Sequence, residues 1–248
     1  MCTKPGAIQS DTTMTHRKRT LTTTLTPLIV LTALSLSAAV LSACATTPSR
    51  NTHASSTTTS PQSADGYQRP PNVAWTENWN PSPATDLMSA DATFLRAYEE
   101  AQDIAIMSGY TASGAYPGFA TADRSKKNPR LYVGGPNPGI YRGFATRTVL
   151  SLTDVTPETR TATICVALSI NPINKLSISY GIDTVTYRHT RTPPPTNQHG
   201  TRQAPTGNVF GDWYATDDIG VSNSDPTCTH EPVNQQATPT PGWPEHGV

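Results

Sequence analysis

The stretch Thr161-Ala-Thr-Ile-Cys-Val-Ala-Leu-Ser-Ile170 has the most regular alternation in this 248-residue chain. Every second residue from Ile164 to Ile170 is a large aliphatic side chain, so these side chains would share one face of an extended strand. Cys165, Ala167 and Ser169 would lie on the opposite face. The period of two therefore predicts a strand with its aliphatic face in a core, and the other segments are assigned around it.

Further β-rich segments lie on both sides of this strand. Residues 144–152 precede it across a turn at 156–159, and residues 176–189 follow it with Gly181 as a bulge or kink. Residues 176–189 can form one bent strand or two short ones. A loop from Arg191 to Gly207 follows, interpreted as a solvated connection between strands, with a polyproline ligand as the alternative. A last strand is predicted within residues 208–221, and together these strands would form an antiparallel sheet.

One helix is predicted N-terminal to these strands. Ser89 is a suitable N-cap, Asp91 would lie in the first turn, and Gly109 is a suitable residue just beyond the C-terminus. Glu99 and Glu100 would lie on the solvated face. The apolar stripe, spaced by three and four, consists of Phe94, Ala97, Tyr98, Ala101, Ile104 and Ala105. The predicted class is α+β, with one long amphipathic helix packed on a curved, cone-like antiparallel sheet.

The limits of this domain follow from composition. Trp75 and Trp79 mark the start of packing, although two tryptophans could instead form an exposed binding lip. We therefore predict a single α+β domain over residues 73–230. Residues 231–248 are rich in Pro and Gln, and we expect them to form a disordered tail.

The N-terminal region has the features of an export signal. A basic cluster at 16–19 precedes an apolar run that ends in Leu41-Ser42-Ala43-Cys44. This segment resembles the lipobox signal peptide of bacterial lipoproteins, a resemblance that covers residues 16–44. It implies cleavage after residue 43, lipidation of Cys44, and a cell-membrane location on the extracytoplasmic face. Met14 would give a more usual signal start than Met1, and an uncleaved signal-anchor helix is the alternative.

Residues 44–72 would connect this anchor to the domain. They are dominated by Ser, Thr, Pro and Ala and have few residues that could fill a core, so a disordered tether is expected. A stalk carrying O-linked sugar is the alternative.

Without residues 1–43 the chain has 14 basic and 17 acidic residues. This weakly acidic product has no basic stripe, which argues against nucleic-acid binding. A local cluster at 124–130 is interpreted as a solvated face.

Cys165 and Cys228 are the cysteines that remain after lipidation of Cys44, apart from Cys2 in the leader. Two cysteines in an exported chain most simply form a disulfide. The alternatives are two buried free thiols or a nucleophilic cysteine. No redox Cys-x-x-Cys pair and no cysteine-protease motif accompanies them.

A second resemblance concerns residues 84–230. The order of a tether, a helix, a Cys-bearing strand, the segment Gly211-Asp212-Trp213-Tyr214 and a closing Cys228 is similar to envelope lipoproteins of unknown function with a nuclear transport factor 2-like fold. That fold contains isomerases, cyclases and non-catalytic binding domains. The resemblance therefore implies a cone-like α+β domain without selecting an activity.

No motif in the sequence identifies a cofactor or a metal, and none is expected. An enzyme would need a carboxylate of raised pKa, for which Asp183 and Asp154 are the candidates, and a tyrosine donor such as Tyr98 or Tyr187. We expect a non-catalytic binding or scaffold module, with a small molecule or another envelope protein as partner. An isomerase- or cyclase-like enzyme with a cone-shaped pocket is the alternative.

Overall fold

In the computed structural model, which describes residues 66–108, 115–127, 141–170, 177–220 and 226–246, five strands form one open sheet. The elements in chain order are β1 (Val73–Trp79), α1 (Ala90–Met107), α2 (Phe119–Ala122), β2 (Tyr141–Thr156), β3 (Thr159–Ile170), β4 (Ser179–Arg188) and β5 (Tyr214–Ile219), followed by a 3-10 helix at Pro226–His230. All of them belong to the compact unit Ser56–Val248. The α+β class is confirmed. The leader, Cys44 and the tether as far as residue 65 lie outside the described residues.

The sheet is mixed rather than antiparallel throughout, which corrects the prediction. The strands follow one another in chain order across the sheet. β2, β3, β4 and β5 pair antiparallel, whereas β1 pairs with β2 in parallel. Parallel neighbours need a long crossover, and the connection through α1 supplies it. Trp75 and Trp79, predicted to pack, lie on β1 and are each 2 % exposed.

Helix α1 is more buried than its sequence pattern predicts. The Ser89 side chain caps its first turn by accepting a hydrogen bond from the Ala92 amide at 3.2 Å, as expected, and the C-cap is Ser108. Glu99 and Glu100, however, are buried. The expectation that they form a solvated face is therefore wrong. Glu99 pairs with Arg147 of β2, and Glu100 accepts hydrogen bonds from Trp79 of β1 and Trp243 of the C-terminal segment.

Residues 231–246, for which disorder was expected, pack across β1 and β2. The side chains of Asn78 and Thr146 both donate to the Asn234 carbonyl oxygen, at 3.2 and 2.8 Å. Thr240 then forms a parallel bridge with Asn78, and Trp243 is 1 % exposed. The buried Trp243 indole and the hydrogen-bonded carbonyl groups hold this Pro-rich segment against the domain. Its average composition does not predict this packing.

The last residues of the predicted tether also pack against the domain. The Tyr67 amide donates to the Thr206 carbonyl oxygen at 2.9 Å, and the Tyr67 ring lies edge-on to Tyr116 with the ring centroids 5.6 Å apart. Ordered structure thus begins before the expected boundary at residue 73.

The core lies between α1 and one face of the sheet and contains a chain of aromatic rings. Phe94 of α1 stacks on Tyr187 of β4 at 4.9 Å, and Tyr187 stacks on Trp213 at 6.0 Å. Ile164 and Val166 of β3 point to this side and are fully buried. Ile170, predicted on the same face, is 53 % exposed because β3 ends there.

The opposite face of β3 carries the disulfide. Cys165 is bonded to Cys228 of the 3-10 helix, the pair predicted from the sequence, and the two residues are separated by 63 positions. Both are buried. The bond ties the segment after β5 to a central strand.

Replacement of both cysteines by serine should lower the free energy of unfolding by about 4 kcal/mol, because the unfolded chain regains the freedom of a 63-residue loop. Urea unfolding of the double variant and of the wild type measures the difference. Dithiothreitol should weaken the wild type and leave the double variant unchanged. Equal sensitivity of both proteins to the reductant would contradict the bond.

Trp243→Ala should destabilise the domain by about 3 to 5 kcal/mol, because it leaves a cavity and removes a buried hydrogen bond. Chemical denaturation measures the loss. His246→Ala is the matched control, since His246 is exposed in the same segment and its replacement should change stability by less than about 0.5 kcal/mol. If the two variants unfold alike, the packing of this segment is not what stabilises the domain.

Candidate functional site

A buried cation lies between α1 and the sheet. Arg147 of β2 is 2 % exposed. Its guanidinium forms ion pairs with Glu77 of β1, with Asp103 of α1 at 2.7 Å, and with Glu99 of α1 at 3.6 Å. The Trp79 ring lies 5.8 Å from the guanidinium carbon. One positive charge is therefore shared among three carboxyl groups, of which Glu77 and Glu99 are buried.

Glu100 forms a second buried polar centre. Its Oε1 accepts from the Trp79 indole at 3.0 Å, and its Oε2 accepts from Tyr116 at 2.8 Å and from the Trp243 indole at 2.6 Å. Burial raises the pKa of Glu100, while Arg96 and the hydrogen bonds from Trp243 and Tyr116 oppose that rise. This carboxyl group joins β1, α1 and the C-terminal segment.

Arg96 completes this second centre. It is fully buried, and its guanidinium donates to the carbonyl oxygens of Gln198 at 2.7 Å and Pro241 at 2.8 Å. The guanidinium carbon of Arg96 lies 4.5 Å from the centre of the Trp243 ring. Arg96 thus holds the loop at 198 and the end of the chain against α1.

Asp183, a candidate catalytic carboxylate, lies on β4 beside Glu99. Its side chain faces α1 and is buried. Oδ1 of Asp183 and Oε1 of Glu99 have no hydrogen-bond partner among the described residues. Burial raises the pKa of Asp183 to about 7, with Arg147 opposing the rise and Asp218 and Asp103 adding to it.

The candidate tyrosines hydrogen-bond to other carboxylates. Tyr187 donates to Asp91 at 2.6 Å, and Tyr98 donates to Asp123 at 3.2 Å. In the ranges that the structure covers, no hydrogen bond joins Asp183 to either tyrosine. Asp154 is 68 % exposed at its side chain and pairs with Arg160 at 2.7 Å. The structure therefore does not bring together the acid and the tyrosine that an isomerase-like site would need.

The free energy of unfolding should fall as pH rises from about 4 to about 7. Asp183 has a folded pKa of about 7, above its unfolded value of about 3.9, so the folded state holds a proton that must leave over this interval. The contribution is fully present below the unfolded pKa and is lost as pH passes the folded pKa. Urea titrations at several pH values measure the slope.

Asp183→Asn should make this slope shallower by the contribution of one proton, because the amide has no proton to lose. Asp154→Asn is the matched control, since Asp154 is exposed and should leave the slope at its wild-type value. A wild-type slope in Asp183→Asn would show that this carboxyl group does not titrate between the folded and unfolded states.

An open cleft of about 480 Å³ lies apart from these buried charges, between α2 and the loop that precedes β5. It is lined by Gly118, Thr121, Ala122, Arg124, Thr190, Arg191, Asn208, Phe210, Gly211, Asp212, Trp213 and Tyr214. Trp213 and Phe210 are buried and provide an apolar wall, whereas the arginines and Asp212 are exposed. This mixture of an aromatic wall and a few polar groups is typical of small-molecule sites.

The arginines in this cleft are not engaged with acids. Arg124 lies over the Tyr214 ring, with its guanidinium carbon 3.5 Å from the ring centre. Among the described residues, neither Arg124 nor Arg191 forms a side-chain ion pair. The cleft therefore presents positive charge that the protein does not neutralise.

No sequence pattern predicts this cleft. Arg124 was expected on a solvated face and Arg191 in a connection between strands. The two lie 67 positions apart, and no local pattern brings them together. The one relevant signal is Gly211-Asp212-Trp213-Tyr214, where an aromatic pair follows a glycine, and it supplies part of the wall.

No family model, curated protein or solved structure matches the chain. The described helices include none with the length and apolar character to cross a membrane. The same part of the chain contains no cluster of three or more His, Cys, Asp or Glu side chains arranged to hold a metal ion.

Proposed function

We propose that this chain is a lipid-anchored extracytoplasmic binding module that takes a small ligand in the cleft beside α2. The observation that carries the proposal is the pair of exposed, unpaired guanidinium groups in that cleft. The buried candidate tyrosines, in contrast, already donate to carboxylates of the protein, Tyr187 to Asp91 and Tyr98 to Asp123. A site with free charge at the surface is suited to binding.

The location rests on Leu41-Ser42-Ala43-Cys44 and on cysteine usage. A lipobox directs acylation of Cys44, and two acyl chains hold a soluble domain at a bilayer. The Cys165–Cys228 disulfide supports an oxidising compartment, because such bonds rarely persist in the cytoplasm. Both arguments favour the outer side of the cell membrane.

A small ligand is favoured over an envelope protein as partner. The large exposed apolar side chains of the described residues are Val155, Ile170 and Ile219. Val155 and Ile170 lie at opposite ends of the β2–β3 hairpin, and Ile219 lies on β5, two strands away from β3. These side chains are therefore scattered over the sheet. A protein-binding surface would need contiguous apolar area.

An isomerase- or cyclase-like enzyme is the second candidate, and the pKa of Asp183 near 7 favours it. Such an enzyme would need substrate to reach Asp183, which is 5 % exposed. The hydrogen bonds of Tyr98 and Tyr187 to other acids also argue against it. A binding module that uses the exposed cleft needs no access of a ligand to Asp183, and it leaves the hydrogen bonds of Tyr98 and Tyr187 unchanged.

The anchor is tested by intact mass of the protein purified from bacterial membranes. We expect the mass of residues 44–248 plus acyl chains, increased by two hydrogens on reduction of the disulfide. Cys44→Ala is the control, and it should be neither acylated nor cleaved at this site. A mass that retains residues 1–43 without acyl groups would overturn the proposed anchor.

A further inference from the structure

We propose that the cleft between α2 and the loop before β5 binds a small molecule through a carboxylate or phosphate group, held by Arg124 and Arg191. This inference rests on the proposed function and names the ligand chemistry of the same site. It depends on the state of these two guanidinium groups, on the rigidity of the cleft, and on the position of its one acid.

Arg124 is held in place without being neutralised. Its guanidinium lies 3.5 Å from the centre of the Tyr214 ring, and a stacked guanidinium keeps its N–H groups free at its edge. These N–H groups match the two oxygens of a carboxylate or a phosphate. Since the ring already restricts the side chain, little freedom is lost when an anion binds.

The other arginines show how unusual this state is within the described part of the chain. Arg147, Arg160 and Arg188 form ion pairs with acids. Arg69 and Arg202 donate to backbone carbonyl oxygens. Arg124 and Arg191 do neither, and both line the same cleft. Two uncommitted cations at one place are the feature that an anionic ligand would complement.

The cleft is built on backbone that only glycine permits. Gly118 has φ +90°, and a Cβ there would lie 2.6 Å from Oδ1 of Asn208. Gly211 has φ +59°, and a Cβ there would lie 2.4 Å from the Thr192 carbonyl oxygen. The close approach at Gly211 holds the loop that carries Arg191 against the wall of the cleft.

Asn208 adds a further donor. Its Oδ1 accepts from the Phe210 amide at 2.9 Å, which leaves its NH2 group to bond elsewhere. The amide is exposed at the edge of the cleft. A ligand oxygen could therefore be held by both charged and neutral donors.

Asp212 is the one carboxylate among the residues that line the cleft, and it forms no ion pair with either arginine. Its charge repels an anion, so it lowers affinity for a simple oxyanion. The proposal therefore fixes the direction in which each substitution changes affinity. Removal of the acid must strengthen binding, whereas removal of either arginine must weaken it.

The experiment titrates the acylated protein, purified in detergent, with phenyl phosphate and with benzoate in a calorimeter. Benzyl alcohol is the neutral probe of similar size. We expect saturable binding of at least one of the two anions and none of the alcohol. The tighter of the two anions identifies the oxyanion, phosphate or carboxylate, that the site prefers.

The variants determine where the anion binds. Arg124→Gln and Arg191→Gln should each weaken binding roughly tenfold or more, and Asp212→Asn should tighten it. Arg188→Gln is the matched control, because it removes the same charge from an exposed ion pair outside the cleft. It should bind like the wild type.

Three results would overturn the inference. They are no saturable binding of either anion, equal binding of the alcohol, and wild-type affinity in both Arg124→Gln and Arg191→Gln. The mass of the same preparation reports acylation of Cys44 independently. A protein that is acylated but binds neither anion would refute the oxyanion site and leave the anchor standing, and an unacylated protein that binds an anion would do the reverse.

Discussion

The ion pairs of Arg147 constrain the whole domain, because this buried guanidinium joins three elements that are far apart in sequence. It lies on β2 and contacts Glu77 of β1 and two acids of α1. The desolvation of such charges is costly, and their mutual attraction compensates for it only when the geometry is complete. The parallel pairing of β1 with β2 places Trp79 opposite Arg147 and Glu77 within its reach. The register of the first strand is thus linked to the placement of the helix.

Acidic groups outnumber basic ones around Arg147, and the pKa values of several of these acids are raised, which favours their protonated forms. Burial is the largest cause of the raised pKa of Glu77, Glu99 and Asp183, and Arg147 lowers each of them. A site with one cation and several carboxyl groups cannot keep all of them ionised away from water. The raised pKa values of Glu99 and Asp183 therefore follow from the burial of both side chains between α1 and β4, and they are not evidence that either residue reacts with a substrate.

Local signals in the sequence predicted the elements that depend on local geometry. The N-cap at Ser89 marks the start of α1, and the alternation at 161–170 lies within β3. The Cys165–Cys228 pair followed from the count of exported cysteines.

Interactions between distant residues could not be predicted in this way. Glu100 binds Trp243 across 143 positions, and nothing near either residue indicates it. Charged residues on helices are usually solvated, so Glu99 and Glu100 were placed at the surface. The export signal at 16–44 remains a prediction, because it lies outside the described residues.

The position of Trp243 also has a consequence for how the chain is made. Trp243 and Thr240 complete the surroundings of Glu100 and the edge of β1, although Thr240 follows Trp79 by 161 positions. The Trp79 amide donates to the Thr240 carbonyl oxygen, so this edge of the first strand is paired by residues that are synthesised long after it. An unpaired edge strand is a template for association with other chains. During synthesis the first strand therefore stays without this partner until residues 240–243 have been made.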